Sequence, residues 1–274
     1  MKVNQFDQWQ IVSYVQIIWF TALAIVNIVL ISMFHNKVQN RKQLWMFSGY
    51  FGGFTLAKML GGILGLVFLH KSEYDQGLYI AVYVFDSVSL GVLLKSAFPF
   101  VKCMLKKDVK NDEEMYTKPS KWPEMNGAPK LIAKYLLGPL EVLTLFVLIA
   151  IILSIVGSSQ MASGGSLTEN KVSSLMFLAA TLVLAAIVIY VNFNNPHYVL
   201  PARLLLAVSG LLVIRCLYAI VAVFHNLSFT NPSKYSLMFG DYKYFTFLSL
   251  MMECVIGVIL LFTYRWFLVS GRFN

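Results

Sequence analysis

A chain of 274 residues with 58% hydrophobic residues, 13% charged residues and a mean hydropathy of +0.69 has too few polar side chains to cover a soluble surface. The composition excludes a soluble globular protein. The net charge of +9 does not point to nucleic acid, because the basic excess collects in segments that flank apolar stretches on one side.

Seven stretches are apolar over about 20 residues or more, the length that crosses a bilayer. They lie at 9–34, 44–69, 77–100, 131–157, 173–193, 201–226 and 244–267. Lipid cannot hydrogen-bond an open strand edge, so the expected fold is all-α, an integral membrane bundle of seven transmembrane helices forming one domain over 1–274. The first stretch is too long for a cleavable signal and is expected to serve as its own targeting segment.

The second span, in GYFGGFTLAKMLGGILG, carries Gly49, Gly53, Ala57, Gly61 and Gly65 at every fourth position, a small-residue ridge for close helix packing within the bundle or between copies. Lys58 stands beside that ridge. The third span holds Asp86, with Tyr79 and Tyr83 on the same helical face. After it comes the long basic segment 101–130, the strongest positive-inside signal and a candidate contact for anionic lipid. The fourth span holds Glu141 just after Gly138-Pro139, where a proline frees backbone carbonyls. The sixth holds Arg215 and Tyr218, and the seventh holds Glu253.

Lys and Arg concentrate in the segments after spans one, three and five and at the C-terminal end, which predicts the N-terminus outside and the C-terminus cytoplasmic. Asn226-Leu227-Ser228, on the outer side in this orientation, is an N-x-S glycan acceptor close to the membrane. Cys216 and Cys254 fall inside spans and Cys103 at the end of another, so no disulfide between outer loops is expected.

An ionisable residue deep in a span costs at least about 2.5–3.5 kcal/mol on insertion scales. At about 1.5 Å per residue, Lys58, Asp86, Arg215 and Glu253 all lie at a similar depth from the outer end of their spans. Two cations and two anions in one layer predict a charge-balanced buried network, with Tyr83 and Tyr218 supplying further hydrogen bonds and Glu141 a candidate member from a deeper position. Such a network serves as a substrate site, a proton path, a ligand-responsive switch or a static clamp on helix register.

Several chemistries lack their residues. The last span has no lysine for a retinal Schiff base, and His35, His70, His197 and His225 all lie at span ends without a second metal ligand at suitable spacing. No serine–histidine pair occurs at depth, and no phosphate-binding glycine loop or Asp-Arg-Tyr receptor motif is present. The expectation is a non-enzymatic protein with no cofactor and no bound metal.

Arg215 and Tyr218 in PARLLLAVSGLLVIRCLYAIVAVF, followed by mid-helix Glu253 in YFTFLSLMMECVIGVILLFTYRW, resemble the fungal seven-span families: the RTA-like (lipid-translocating exporter) group and a related uncharacterised group. WMFSGYFGGFTLAKMLGG resembles the second helix of the uncharacterised group. Ala219, Ile220 and Val221 follow Tyr218 where the RTA-like pattern continues into a second arginine and a glutamate, which favours the uncharacterised relative. The resemblance implies a multi-pass protein that handles a lipid-like or small amphiphilic molecule. The alternatives are a receptor-like sensor, with a cytoplasmic partner at the basic segment, and a structural membrane component.

Overall fold

The computed structural model describes residues 3–34, 41–71, 75–116, 128–160, 168–194, 198–225, 234–236 and 240–269. Seven helices account for nearly all of them: α1 Val3–Phe34, α2 Arg41–His70, α3 Gln76–Tyr116, α4 Ala128–Gln160, α5 Thr168–Asn194, α6 Val199–Phe224 and α7 Tyr242–Val269. All seven are long and apolar enough to cross a membrane, and no strand occurs among the described residues.

The helices exceed the apolar stretches because polar turns continue them. The clearest case is α3, which runs to Tyr116 through a segment that hydropathy alone marks as loop. Hydropathy detects only the apolar part, whereas residues 101–118 contain no glycine or proline to stop the helix. At the other end, Asp75 starts α3: its Oδ1 accepts from the Leu78 amide at 3.2 Å, as an N-cap carboxylate does. Its other oxygen pairs with Lys71, and that ammonium holds the Asp75 carboxyl below its ordinary range.

Each helix packs against its neighbours in sequence, and α7 closes the circuit against α6 and α1. Helix α3 touches α2, α4 and α5 and is the most central. The outward faces are apolar: Ile11, Ile18, Ile25 and Val29 on α1, and Val142, Leu145, Ile149 and Ile152 on α4, are all exposed. Such a belt suits lipid and not water.

The small-residue ridge of α2 divides. A Cβ on Gly49 would meet nothing within 4 Å, whereas one on Gly53 would lie 3.6 Å from Val92 and one on Gly61 3.5 Å from Phe85, both on α3. Ala57 and Gly65 are buried. The tightest approach falls one residue off the ridge: a Cβ on Gly62 would sit 2.8 Å from Ile17 and 3.3 Å from the Ser13 carbonyl of α1. Gly62→Val is therefore expected to cost about 1–3 kcal/mol, because the neighbouring backbone cannot yield as a flexible side chain can. Gly49→Val leaves the bundle unchanged. Thermal unfolding of the two variants in one detergent checks the contrast.

Candidate functional site

Four helices bring their ionisable side chains to one point. Lys58 Nζ of α2 lies 2.6 Å from Asp86 Oδ1 of α3 and 2.5 Å from Glu253 Oε2 of α7. Arg215 of α6 donates from Nη2 to Asp86 Oδ2 at 2.6 Å and from Nε to Glu253 Oε1 at 2.7 Å. Each carboxylate thus bridges both cations and each cation both carboxylates, forming a closed ring of alternating charge.

Lys58, Arg215 and Glu253 are at most 2% exposed and Asp86 is 16% exposed. Charges taken so far from water persist only when mutually neutralised, and the ring does this with hydrogen bonds at three of its contacts, while Glu253 Oε2 meets Lys58 as an ion pair alone. Gln16 of α1 steadies it by donating to the Lys58 carbonyl at 2.7 Å. Lower on the same interface, Asn27 donates to Ser48 Oγ at 3.1 Å. Sequence reasoning missed both side chains, whose signal was an amide in an otherwise apolar helix.

The tyrosines take a different part from the one expected. Tyr218 lies under Arg215, with the guanidinium carbon 5.8 Å from the ring centroid, but its hydroxyl donates to the Tyr235 carbonyl at 3.2 Å. Tyr79 meets Ser236 at 3.1 Å, and Trp9 Nε1 donates to the Gly240 carbonyl at 3.4 Å. These bonds fasten the α6–α7 connection over the helix ends on the face where α1 begins. The four charges satisfy one another without the phenols.

Glu141 does not join the ring, which corrects its placement in the network. Leu140, Leu143, Val147 and Ala150 form a buried stripe on α4, and Glu141 lies one residue round from that stripe with its side chain exposed. Asn226, the candidate glycan acceptor, lies outside the described residues.

Glu253 reaches the ring with help from a π-helical turn at Thr246–Leu250 in α7. The extra residue in that turn rotates the rest of the helix by about 100° relative to an uninterrupted one. The same helix can thereby place Phe245 against Trp9, with centroids 5.4 Å apart, and still send Glu253 inward. Nothing in the apolar run of α7 announces this turn.

Two cavities meet at the ring. The larger is a cleft with about 30 Å³ of water-sized space that opens toward solvent, and it runs from Tyr235 between α3, α4, α5 and α6 down to Asp86 and Arg215. The smaller, about 10 Å³, lies between Gln16, Gly61, Phe245 and the Lys58–Asp86 pair. Asp86 lines both.

Toward the opposite face the interior is filled with rings. Phe47 is fully buried, 4.4 Å from Tyr264 and 4.7 Å from Phe100 between centroids, and Phe100 stacks on Phe267 at 5.4 Å. The polar layer thus has space on one side and packed aromatics on the other.

A further intramembrane charge escaped the sequence reasoning. Lys95, nine positions beyond Asp86 on α3, is 8% exposed and makes no ion pair or hydrogen bond with a described residue. A buried ammonium without a counter-ion is destabilising, so Lys95→Met is expected to raise the thermal midpoint, by an amount equivalent to about 1–3 kcal/mol. The signal was available, since Lys95 falls inside the third predicted span.

Among the described residues no three His, Cys, Asp or Glu side chains are grouped so as to hold a metal ion. Comparison with curated proteins and with solved structures yields no match. Residues 133–264 are similar to a family model described as a domain of unknown function, DUF7702, a match that takes in Arg215 and Glu253 but neither Lys58 nor Asp86.

Proposed function

We propose that this multi-pass membrane protein is non-enzymatic and binds a small amphiphilic molecule where the larger cavity opens, the surrounding helices parting to admit its polar head, with the charge ring as the floor. The observation that carries the reading is Asp86. It is the one ring member with appreciable exposure, at 16%, and that exposure adjoins the cavity. A group entering there meets a carboxylate held rigidly by two cations, which suits orientation of a polar head while Leu90, Phe177 and Ala222 take apolar parts. The resemblance around Arg215, Tyr218 and Glu253 supports lipid-like ligands. By the distribution of Lys and Arg, the cavity opens on the outer face and the C-terminus is cytoplasmic.

Mass spectrometry of molecules retained after gentle purification tests this. Wild type is expected to keep a defined amphiphile that Ala219→Phe, which fills the cavity from α6, loses while remaining folded. Equal, unselective lipid in both proteins overturns it.

A sensor reading is favoured by one further observation: the helix that carries Asp86 runs on past Pro99 to Tyr116, into the basic segment on the opposite face. Ligand contact at Asp86 therefore acts on an element that also presents a surface to a cytoplasmic partner. Flux across a vesicle membrane distinguishes the readings, since translocation requires the aromatic layer to open and sensing does not.

A further inference from the structure

We propose that Lys95 and Lys102 of α3 seat the phosphate of an anionic phospholipid in the groove between α2 and α4, at the membrane face opposite the cavities. Lys95 comes nine residues after Asp86, about two and a half helical turns, so it points to the other side of α3 from the charge ring. The site is therefore separate from the ligand cavity and does not depend on what occupies it.

Neighbouring contacts fix the direction. Gly91 packs on α4, where a Cβ on it would lie 2.5 Å from Ile151, and Val92 lies against α2, 3.6 Å from where a Cβ on Gly53 would stand. Lys95 follows Gly91 by four residues and Val92 by three, which places it on the face between those two contacts. Lys102, seven residues further, continues the same stripe.

From residue 93 to residue 105 every position of α3 is buried except Lys102, which is partly exposed. Lys95 is 8% exposed, yet its Nζ is not fully enclosed, so the stem is covered while the ammonium reaches the edge of the protein. Neither lysine forms an ion pair or hydrogen bond with a described residue. Glu141 is the only carboxylate on α2, on α4 or on this part of α3, and it pairs with neither. Pro99, one turn beyond Lys95, has no N–H, so the Lys95 carbonyl also lacks its helical donor.

Depth points to the ligand. Lys95 stands about 7–8 Å inside the end of the apolar stretch 77–100 and Lys102 about 3 Å outside it, so the two straddle the boundary where hydrocarbon gives way to lipid phosphates. By the distribution of Lys and Arg, this is the cytoplasmic leaflet. Two ammonium groups against one carboxylate leave a positive excess, which a phosphate offsets while accepting a charge-assisted hydrogen bond from each lysine. The outward faces of the bundle are apolar, which suits a phosphate that arrives with acyl chains and not a free ion.

The test uses the full chain in nanodiscs of phosphatidylcholine with rising fractions of phosphatidylglycerol, and the thermal midpoint as readout. The wild-type midpoint is expected to rise saturably. Lys95→Met, which is the more stable protein in pure phosphatidylcholine, should need roughly tenfold more phosphatidylglycerol for the same rise or show none, through loss of one charge-assisted hydrogen bond. Lys102→Met should lose part of the response. Lys95→Arg keeps the charge and should keep the response, as should Lys106→Gln/Lys107→Gln, which lowers only the charge of the basic segment that follows.

A rise that survives Lys95→Met, or that disappears in Lys106→Gln/Lys107→Gln instead, reports diffuse attraction to the leaflet and overturns the site. No rise in the wild type overturns it as well. If inorganic phosphate in pure phosphatidylcholine produces the same Lys95-dependent rise, the groove holds a free anion and the lipid assignment is overturned.

Discussion

Arg215→Leu is expected to deplete the folded protein almost completely, whereas Arg215→Leu/Glu253→Leu recovers much of it. The single change removes two charge-assisted hydrogen bonds and leaves Asp86 and Glu253 facing Lys58 alone. That is one uncompensated negative charge in a layer where Glu253 is fully buried, a class of defect that costs about 3–5 kcal/mol. The double change removes one cation and one anion. Lys58 and Asp86, 2.6 Å apart, remain as a neutral pair, and leucine fills part of the vacated volume. Fluorescence-detected size exclusion and thermal unfolding measure both variants. Equal loss in single and double variants would mean that the ring does not behave as a charge-balanced unit. Full recovery of the fold without recovery of ligand retention would separate the ring's structural part from its part in binding.

The ring was legible because insertion energetics made each of its members anomalous and helix rise gave their depths. Two cations and two anions at matching depth, in spans able to neighbour one another, admit few arrangements. The sequence could not reveal that Lys58 contacts both carboxylates, because that depends on fine differences in interhelical spacing. Glu141 failed by the same reasoning that found the others. Depth along a helix says nothing of the direction a side chain faces, and the buried stripe of Leu140, Leu143 and Val147 turns it outward. The π-turn before Glu253 was invisible for a related reason, since one extra residue in a turn leaves hydropathy unchanged while rotating everything after it. The cavity hydroxyls were not legible either. Ser87, Ser154 and Ser173 come from three helices, and an isolated serine in a transmembrane span is too common to signal anything until the helices are assembled.

Phe47→Ala is expected to have the other large effect, and to have it without touching a charge. Phe47 is wholly buried between Phe51, Phe100 and Tyr264, with centroid separations of 5.4, 4.7 and 4.4 Å, so its ring ties α2 to α3 and α7 on the side of the network away from the cavities. Truncating a buried phenylalanine costs about 3–5 kcal/mol when the site cannot collapse, and three neighbouring rings held by their own contacts collapse poorly. Phe47→Leu keeps most of the volume and should cost well under half as much. Beyond stability, the void left by alanine thins the aromatic layer that separates the charge ring from the face opposite the cavities. If that layer is what makes the site accessible from one side only, Phe47→Ala should speed hydrogen exchange of the α3 amides between Asp86 and Phe100, and Phe47→Leu should not. A destabilised Phe47→Ala whose α3 amides remain as protected as in the wild type would show that the barrier lies elsewhere, and one-sided access would then have to be sought in the packing of α5 and α6.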